Sequence, residues 1–202
     1  MRKDRDSIIR EQVDRLGRPS VEMLDREIAR QERKESYRRL TRSITGILVT
    51  AVALIIIITN LWVNVLQVDG SSMNPLLKSS EIVLAVKDGS PAKGDVIAFF
   101  NNNKVYIKRV IAVSGDQVNI SDDGVVTVNG QKLKEPYVTQ PSKGNCDIDL
   151  PYQVPPGMFF VMGDNRPVAL DSRSSSFGPV NKDQIIGKVL FRVWPFTMIG
   201  PV

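Results

Sequence analysis

The sequence predicts a mainly β fold behind one long apolar helix and a charged helical tail. Three observations carry this. An unbroken run of 26 residues, Ser43 to Val68, holds no charged side chain. The 137 residues from Leu66 break into short stretches rich in Val, Ile, Phe and Tyr, separated by Gly, Pro, Asn and Asp. Within them Asn129-Gly130 follows Val125–Val128, a strong two-residue hairpin signal.

The tail comes first. Residues 1–42 hold 13 Lys/Arg against 9 Asp/Glu, and the rest of the chain holds 14 against 13. The basic excess therefore sits almost wholly at the N-terminal end. Ile9, Val13 and Leu16, then Leu24 and Ile28, make a narrow apolar stripe, and Pro19-Ser20 reads as a helix start with Ser20 as N-cap. Such a helix fits a solvated segment near an anionic lipid surface. The remainder shows no basic patch with interleaved aromatics, so no nucleic-acid partner is expected.

The uncharged run includes Leu54-Ile55-Ile56-Ile57-Ile58. As a helix it would reach roughly 39 Å, more than the ~30 Å hydrocarbon core of a bilayer. It leaves no polar face for a soluble helix. With 42 residues before it and no small-residue cleavage site close behind, it does not read as a cleavable leader. We assign a charged cytoplasmic tail to 1–42, a transmembrane helix to 43–65 and an extracytoplasmic β-rich domain to 66–202. Arg33, Lys34, Arg38, Arg39 and Arg42 crowd one flank, whereas the first cation beyond the run is Lys78. That asymmetry predicts a single-pass protein of the cell membrane with its N-terminus in the cytoplasm.

Candidate strands in the outer portion are Glu81–Val86, Asp95–Phe100, Val105–Val113, Gln117–Ile120, Val125–Val128, Met158–Met162 and Gln184–Val193, with a turn at Ser114-Gly115-Asp116 and a loop over 141–156.

Composition narrows the chemistry. There is no histidine and one cysteine, Cys146. Ser-His and Cys-His pairs, Cys-based zinc sites and disulfides within the chain are excluded. Hydrolysis would have to use hydroxyls, carboxylates, lysines or an oxygen-bound metal. Nothing in the sequence requires a cofactor.

Three segments can carry such chemistry. Asp69-Gly70-Ser71-Ser72-Met73-Asn74-Pro75 places two serines on a turn loosened by Gly70 and stiffened by Pro75, which also fits an ordinary serine-rich turn. In Lys104–Val113, strand alternation puts Tyr106, Lys108, Val110 and Ala112 on one face and Val105, Ile107, Arg109, Ile111 and Val113 on the other. A desolvated ammonium loses its proton more easily, whereas a guanidinium keeps it. A general base on this strand is therefore Lys108, although strand cations commonly reach solvent or pair with carboxylates. The third segment, Gly163-Asp164-Asn165-Arg166 with Asp171-Ser172-Arg173, can form ion pairs that fix a loop. The interleaved arginines argue against a metal site, and a glycosidase carboxylate pair would lack an aromatic sugar platform.

In this order behind one span, the three segments resemble the type I signal peptidases, membrane-anchored serine proteases with a Ser–Lys dyad. The resemblance rests on Gly70 to Pro75, Tyr106 to Val110 with Gly115-Asp116, and the third segment. It implies an antiparallel β-sheet catalytic domain with a small β insertion, since only residues 109–162 separate the second and third boxes. It implies Ser72 as nucleophile and Lys108 as general base. It casts Gly70, Ser71, Asp164, Asn165, Arg166, Asp171 and Arg173 as oxyanion or supporting residues, with the Ser72 N–H in the oxyanion hole. Leu66, Val68 and Ile107 are expected as pocket walls. The implied partners are secretory preproteins, cut after small side chains, and the lipid bilayer. Two positions depart from common members of the family: Ala169 stands where a serine often helps hold the lysine, and Gly70 where some carry a hydroxyl. The alternatives are a self-cleaving Ser–Lys protease, which the span disfavours, and a silent membrane-anchored β-domain that binds exported chains.

Overall fold

The computed structural model describes the backbone of residues 2–15, 17, 21–87 and 90–202, and the side chains of these except 2–6, 15 and 58–61. It divides into two compact units, residues 1–57 and 58–202.

In the first unit, α1 spans Arg2–Arg15 and α2 begins at Val21, running on to Trp62. The expected cap at Ser20 lies outside the described residues. The apolar part of α2 keeps its side chains exposed, among them Ile44, Leu48, Val52 and Ile56. By length and composition it is one helix able to cross a membrane. Two of its hydroxyls are satisfied within the helix: Thr45 donates to the Thr41 carbonyl at 2.8 Å and Thr50 to that of Gly46 at 3.0 Å.

Every strand pairing described in the second unit is antiparallel. Its strands are β1 (Val63–Gln67), β2 (Ile82–Val86), β3 (Val96–Asn101), β4 (Lys104–Val113), β5 (Gln117–Ile120), β6 (Val126–Val128), β7 (Gln131–Lys132), β8 (Tyr152–Gln153), β9 (Met158–Met162), β10 (Val180–Asn181), β11 (Ile185–Trp194) and β12 (Gly200–Pro201). The large sheet has the order β1-β2-β11-β3-β4-β9-β10, with β12 paired to β11, and the small one is β7-β6-β5-β8.

All seven expected strands are present within a residue at each end. The Asn129-Gly130 turn closes β6 onto β7 with φ of 53° and 77°, the left-handed pair that a two-residue hairpin loop requires. Five strands were not foreseen. Four are two-residue pairings too short to leave a pattern. The fifth, β1, overlaps the end of the expected span: the helix stops at Trp62, and Val63–Gln67 pair in register with β2. Val63, Val65 and Leu66 continue the apolar run in composition, so the switch from helix to strand is invisible to hydropathy.

The alternation expected along β4 holds only in part. The register with β9 shifts between Val110 and Ala112. Beyond this bulge Ile111 and Ala112, expected on opposite faces, join one core cluster with Val118, Ile120 and Phe160. A second cluster, built on Met73, Leu77, Val83 and Ala98, lies under the turn that follows β1.

Candidate active site

The segment from Asp69 to Ser80 is a loop whose neck is closed by Val68 and Glu81. The Val68 N–H donates to the Glu81 carbonyl at 2.8 Å, and the Ser80 N–H to that of Val68 at 2.8 Å. Gly70 turns the chain at φ 86°. Met73 and Leu77, one helical turn apart, are both buried in the second cluster, with the Leu77 N–H on the Met73 carbonyl at 3.0 Å. Two apolar anchors thus hold the loop down from one side while Ser72, between the glycine and the first anchor, lines a surface groove.

Lys108 stands on β4, where its side chain is 3 % exposed. Its Nζ lies 2.6 Å from Ser72 Oγ. Burial is the largest influence on this amine and favours its neutral form. The Asp171 and Asp164 carboxylates push the other way, Arg173 pushes with burial, and the pKa settles at about 8 instead of 10.5. Roughly a tenth of such lysines are neutral at pH 7, against well under a thousandth of free ones.

The groove is bounded by Gln67, Val68, Asp69 and Gly70 on one wall and by Lys104 to Lys108 on the other. Both walls are sheet edges. Among the described residues β1 pairs only with β2, and β4 gains its β9 partner only from Arg109 onward, so residues 104–108 have β3 on one side alone. Val68 and Ile107 line this groove. Leu66 does not: it packs against the second core cluster, which Val68 also joins from the groove's floor.

The third box forms a buried ionic scaffold behind the pair. Asp164 accepts from two of the three nitrogens of Arg109, Nε at 2.8 Å and Nη2 at 2.7 Å. Asp171 binds Arg173 Nε and Nη2 at 2.8 Å each and accepts the Gly163 N–H at 2.9 Å. Arg166 donates to the Gly163 carbonyl at 3.1 Å and to Glu135. Gly163 must be glycine for a spatial reason: a Cβ there would sit 2.6 Å from the Ser72 carbonyl oxygen and 2.5 Å from the Ala169 methyl. The substitution Gly163→Ala should displace Ser72 and lower turnover at least ~10-fold while the sheet still forms, as steady-state kinetics beside far-UV circular dichroism would show.

Ala169 is buried, and its methyl offers no hydroxyl to the lysine. Among the described residues, Lys108 is held by packing, by Ser72, and by the Tyr106 ring 5.8 Å away.

Sequence reasoning missed the loop that covers these arginines. Tyr137 lies over Arg109 at 4.0 Å, Glu135 neutralises Arg166, and the carbonyls of Ser142 and Lys143 accept from Arg173 Nη1. Glu135 is the one local clue, an acid in a stretch otherwise read as connecting chain.

Comparison with known proteins gives a consistent result. Residues 41–194 match the family described as signal peptidase, peptidase S26. Signal peptidase IB of Staphylococcus aureus is 40% identical over 167 residues, covering 73% of this chain and 86% of its own. Signal peptidase I of Bacillus caldolyticus is 41% identical over 146 residues, covering 64% of this chain and 78% of its own. A crystal structure of a signal peptidase I from Enterococcus faecalis, 32% identical, aligns with a TM-score of 0.40 over 49% of this chain and 96% of that one. The match spans all three boxes and the strands that carry them, and the chain belongs to the signal peptidase family, peptidase S26.

Proposed function

We propose that this chain removes signal peptides from secretory preproteins with Ser72 as nucleophile and Lys108 as general base, at the outer surface of the membrane in which α2 is anchored. The observation that carries this reading is the 2.6 Å separation between a buried amine of lowered pKa and a hydroxyl in an open groove. A chain without histidine needs some other base, and a lysine neutral near physiological pH is one.

Neutral Lys108 takes the Ser72 proton as Oγ adds to the scissile carbonyl carbon, and the carbonyl π pair moves to oxygen. Backbone N–H groups hold that oxyanion, at about 3–4 kcal/mol per well-placed donor. The ammonium returns its proton to the leaving amine as the C–N bond breaks. Lys108 then deprotonates a water that attacks the acyl ester and frees Ser72. The unpaired edges of β1 and β4 suit an extended substrate segment, which gains main-chain hydrogen bonds to either wall. Small residues at the first and third positions before the cut would fit beside Val68 and Ile107. Anchoring both partners in one plane raises their effective concentration.

Incubation of the full chain in detergent with a preprotein tests this: release of the mature N-terminus, read by sequencing, is expected, and an intact preprotein would refute it. The pH dependence is a sharper check. The lysine must be neutral to act, so kcat/KM should rise with pH through a single ionisation near 8 and level above it. An acid limb centred near 10.5 would show a fully solvated amine and contradict the assignment.

A further inference from the structure

The Ser72 loop is gripped by one residue from the third box. The Asn165 backbone N–H donates to the Ser72 carbonyl at 3.0 Å, and its side-chain Nδ2 donates to the Ser71 carbonyl at 3.0 Å. One residue thus holds the carbonyls on both sides of the nucleophile. The amide orientation is fixed by its partner, because a carbonyl oxygen can only accept. Asn165 is itself held rigidly. Its own carbonyl accepts the Val168 and Ala169 N–H groups at 3.3 and 3.1 Å, and its neighbours Asp164 and Arg166 are buried in ion pairs.

The consequence lies on the other side of the peptide plane. The Ser71–Ser72 bond is trans, so the Ser72 N–H points opposite to the carbonyl that Nδ2 holds. Among the described residues no protein group accepts that N–H. Ser71 O also receives the Asn74 N–H at 3.1 Å, a bond within the loop that moves with it, whereas Nδ2 ties the plane to a different part of the fold.

We propose that Asn165 is a positioning residue: its side-chain amide fixes the Ser71–Ser72 peptide plane so that the Ser72 N–H is preorganised to receive the oxyanion. This rests on the protease reading above and names what aims its oxyanion donor. A donor aligned before the reaction stabilises charge that develops only in the transition state, so the residue governs kcat and not substrate binding.

The test compares wild type with Asn165→Leu, which keeps the side chain's shape and removes both donor and acceptor, and with Asn165→Ala as a smaller alternative. The backbone bond to the Ser72 carbonyl survives in both. With a peptide spanning a signal-peptide cut site, kcat should fall by roughly 10- to 100-fold while KM stays within about twofold. A peptide aldehyde provides a second readout. Ser72 Oγ adds to its carbonyl carbon, the π pair goes to oxygen, and Lys108 takes the hydroxyl proton, so the adduct needs the same donor. Its inhibition constant should weaken by the same factor as kcat/KM, at an unchanged melting temperature. Unchanged kcat and unchanged aldehyde affinity would overturn the proposal. So would losses in kcat and KM together that track a fall in melting temperature, which would mark a merely structural bond. If wild type neither cleaves the peptide nor binds the aldehyde, the protease reading falls and this inference with it. If wild type does both and the variants match it, only the role of Asn165 falls.

Discussion

Ser72→Ala and Lys108→Met should each reduce turnover by on the order of 10⁴- to 10⁶-fold, and neither should unfold the protein. The first removes the hydroxyl 2.6 Å from the buried amine and leaves a methyl in a groove that already holds Val68 and Met73. The second is the more telling. Met is close to Lys in length and needs no hydration, so it suits a position where the residue is 3 % exposed. Burial lowers the amine's pKa from 10.5 to about 8, which means the folded state disfavours the charged form. The sign follows: below pH 8 the native protein carries a desolvated ammonium at a cost to stability, and that cost is relieved as pH rises from 8 towards 10.5. Lys108→Met abolishes the cost. The variant should therefore melt no lower than wild type at pH 7, and its stability should lose the rise between pH 8 and 10.5. Single-turnover cleavage and thermal unfolding across pH check the two halves separately. Retained turnover in either variant would remove Ser72 and Lys108 from their proposed roles.

Much of this was readable from the chain because the informative features were local. Asn129-Gly130 fixes a hairpin through the backbone of two residues, and the apolar stretches of β3, β4, β9 and β11 are set apart by turn residues, Asn101-Asn102-Asn103 between β3 and β4 among them. Lys108 stood out from Arg109 because a desolvated ammonium can shed its proton and a guanidinium cannot, and the resemblance cast it as the base. What escaped the reading depends on partners distant in sequence. The bulge in β4 that brings Ile111 and Ala112 together exists only against β9. The inward turn of Leu66 follows from the pairing of β1 with β2, which an unbroken apolar run conceals. Glu135 and Tyr137 meet Arg166 and Arg109 across about 30 residues, with no periodicity to announce it. The Ala169 departure looked like a missing hold on the lysine. In the folded chain that position lies beside Gly163 and the Ser72 carbonyl, and the grip on the nucleophile loop comes from Asn165.

Asp171→Ala should destabilise the protein by about 3–5 kcal/mol and move the acid limb of activity downward in pH. Asp171 is 1 % exposed and so is Arg173, its bidentate partner. Removing the carboxylate strands a buried guanidinium, and that unpaired charge accounts for most of the loss. It also frees the Gly163 N–H and loosens the close approach of that residue to Ser72. A domain of this size commonly has only 5–15 kcal/mol in hand, so the variant stands near its unfolding limit at 25 °C. Asp171→Asn is the milder probe. It keeps an oxygen for the Gly163 N–H and one bond to Arg173, and should lose less. Both variants delete the charge that does most to hold the Lys108 proton on, while Arg173 goes on repelling it. The amine pKa must therefore fall below about 8, and the rise of kcat/KM should shift to lower pH by the same amount. Denaturant titration reports the first effect and the pH–rate profile the second. A profile that stayed at wild-type pH in a folded Asp171→Asn enzyme would mean that this carboxylate braces the loop without acting on the lysine.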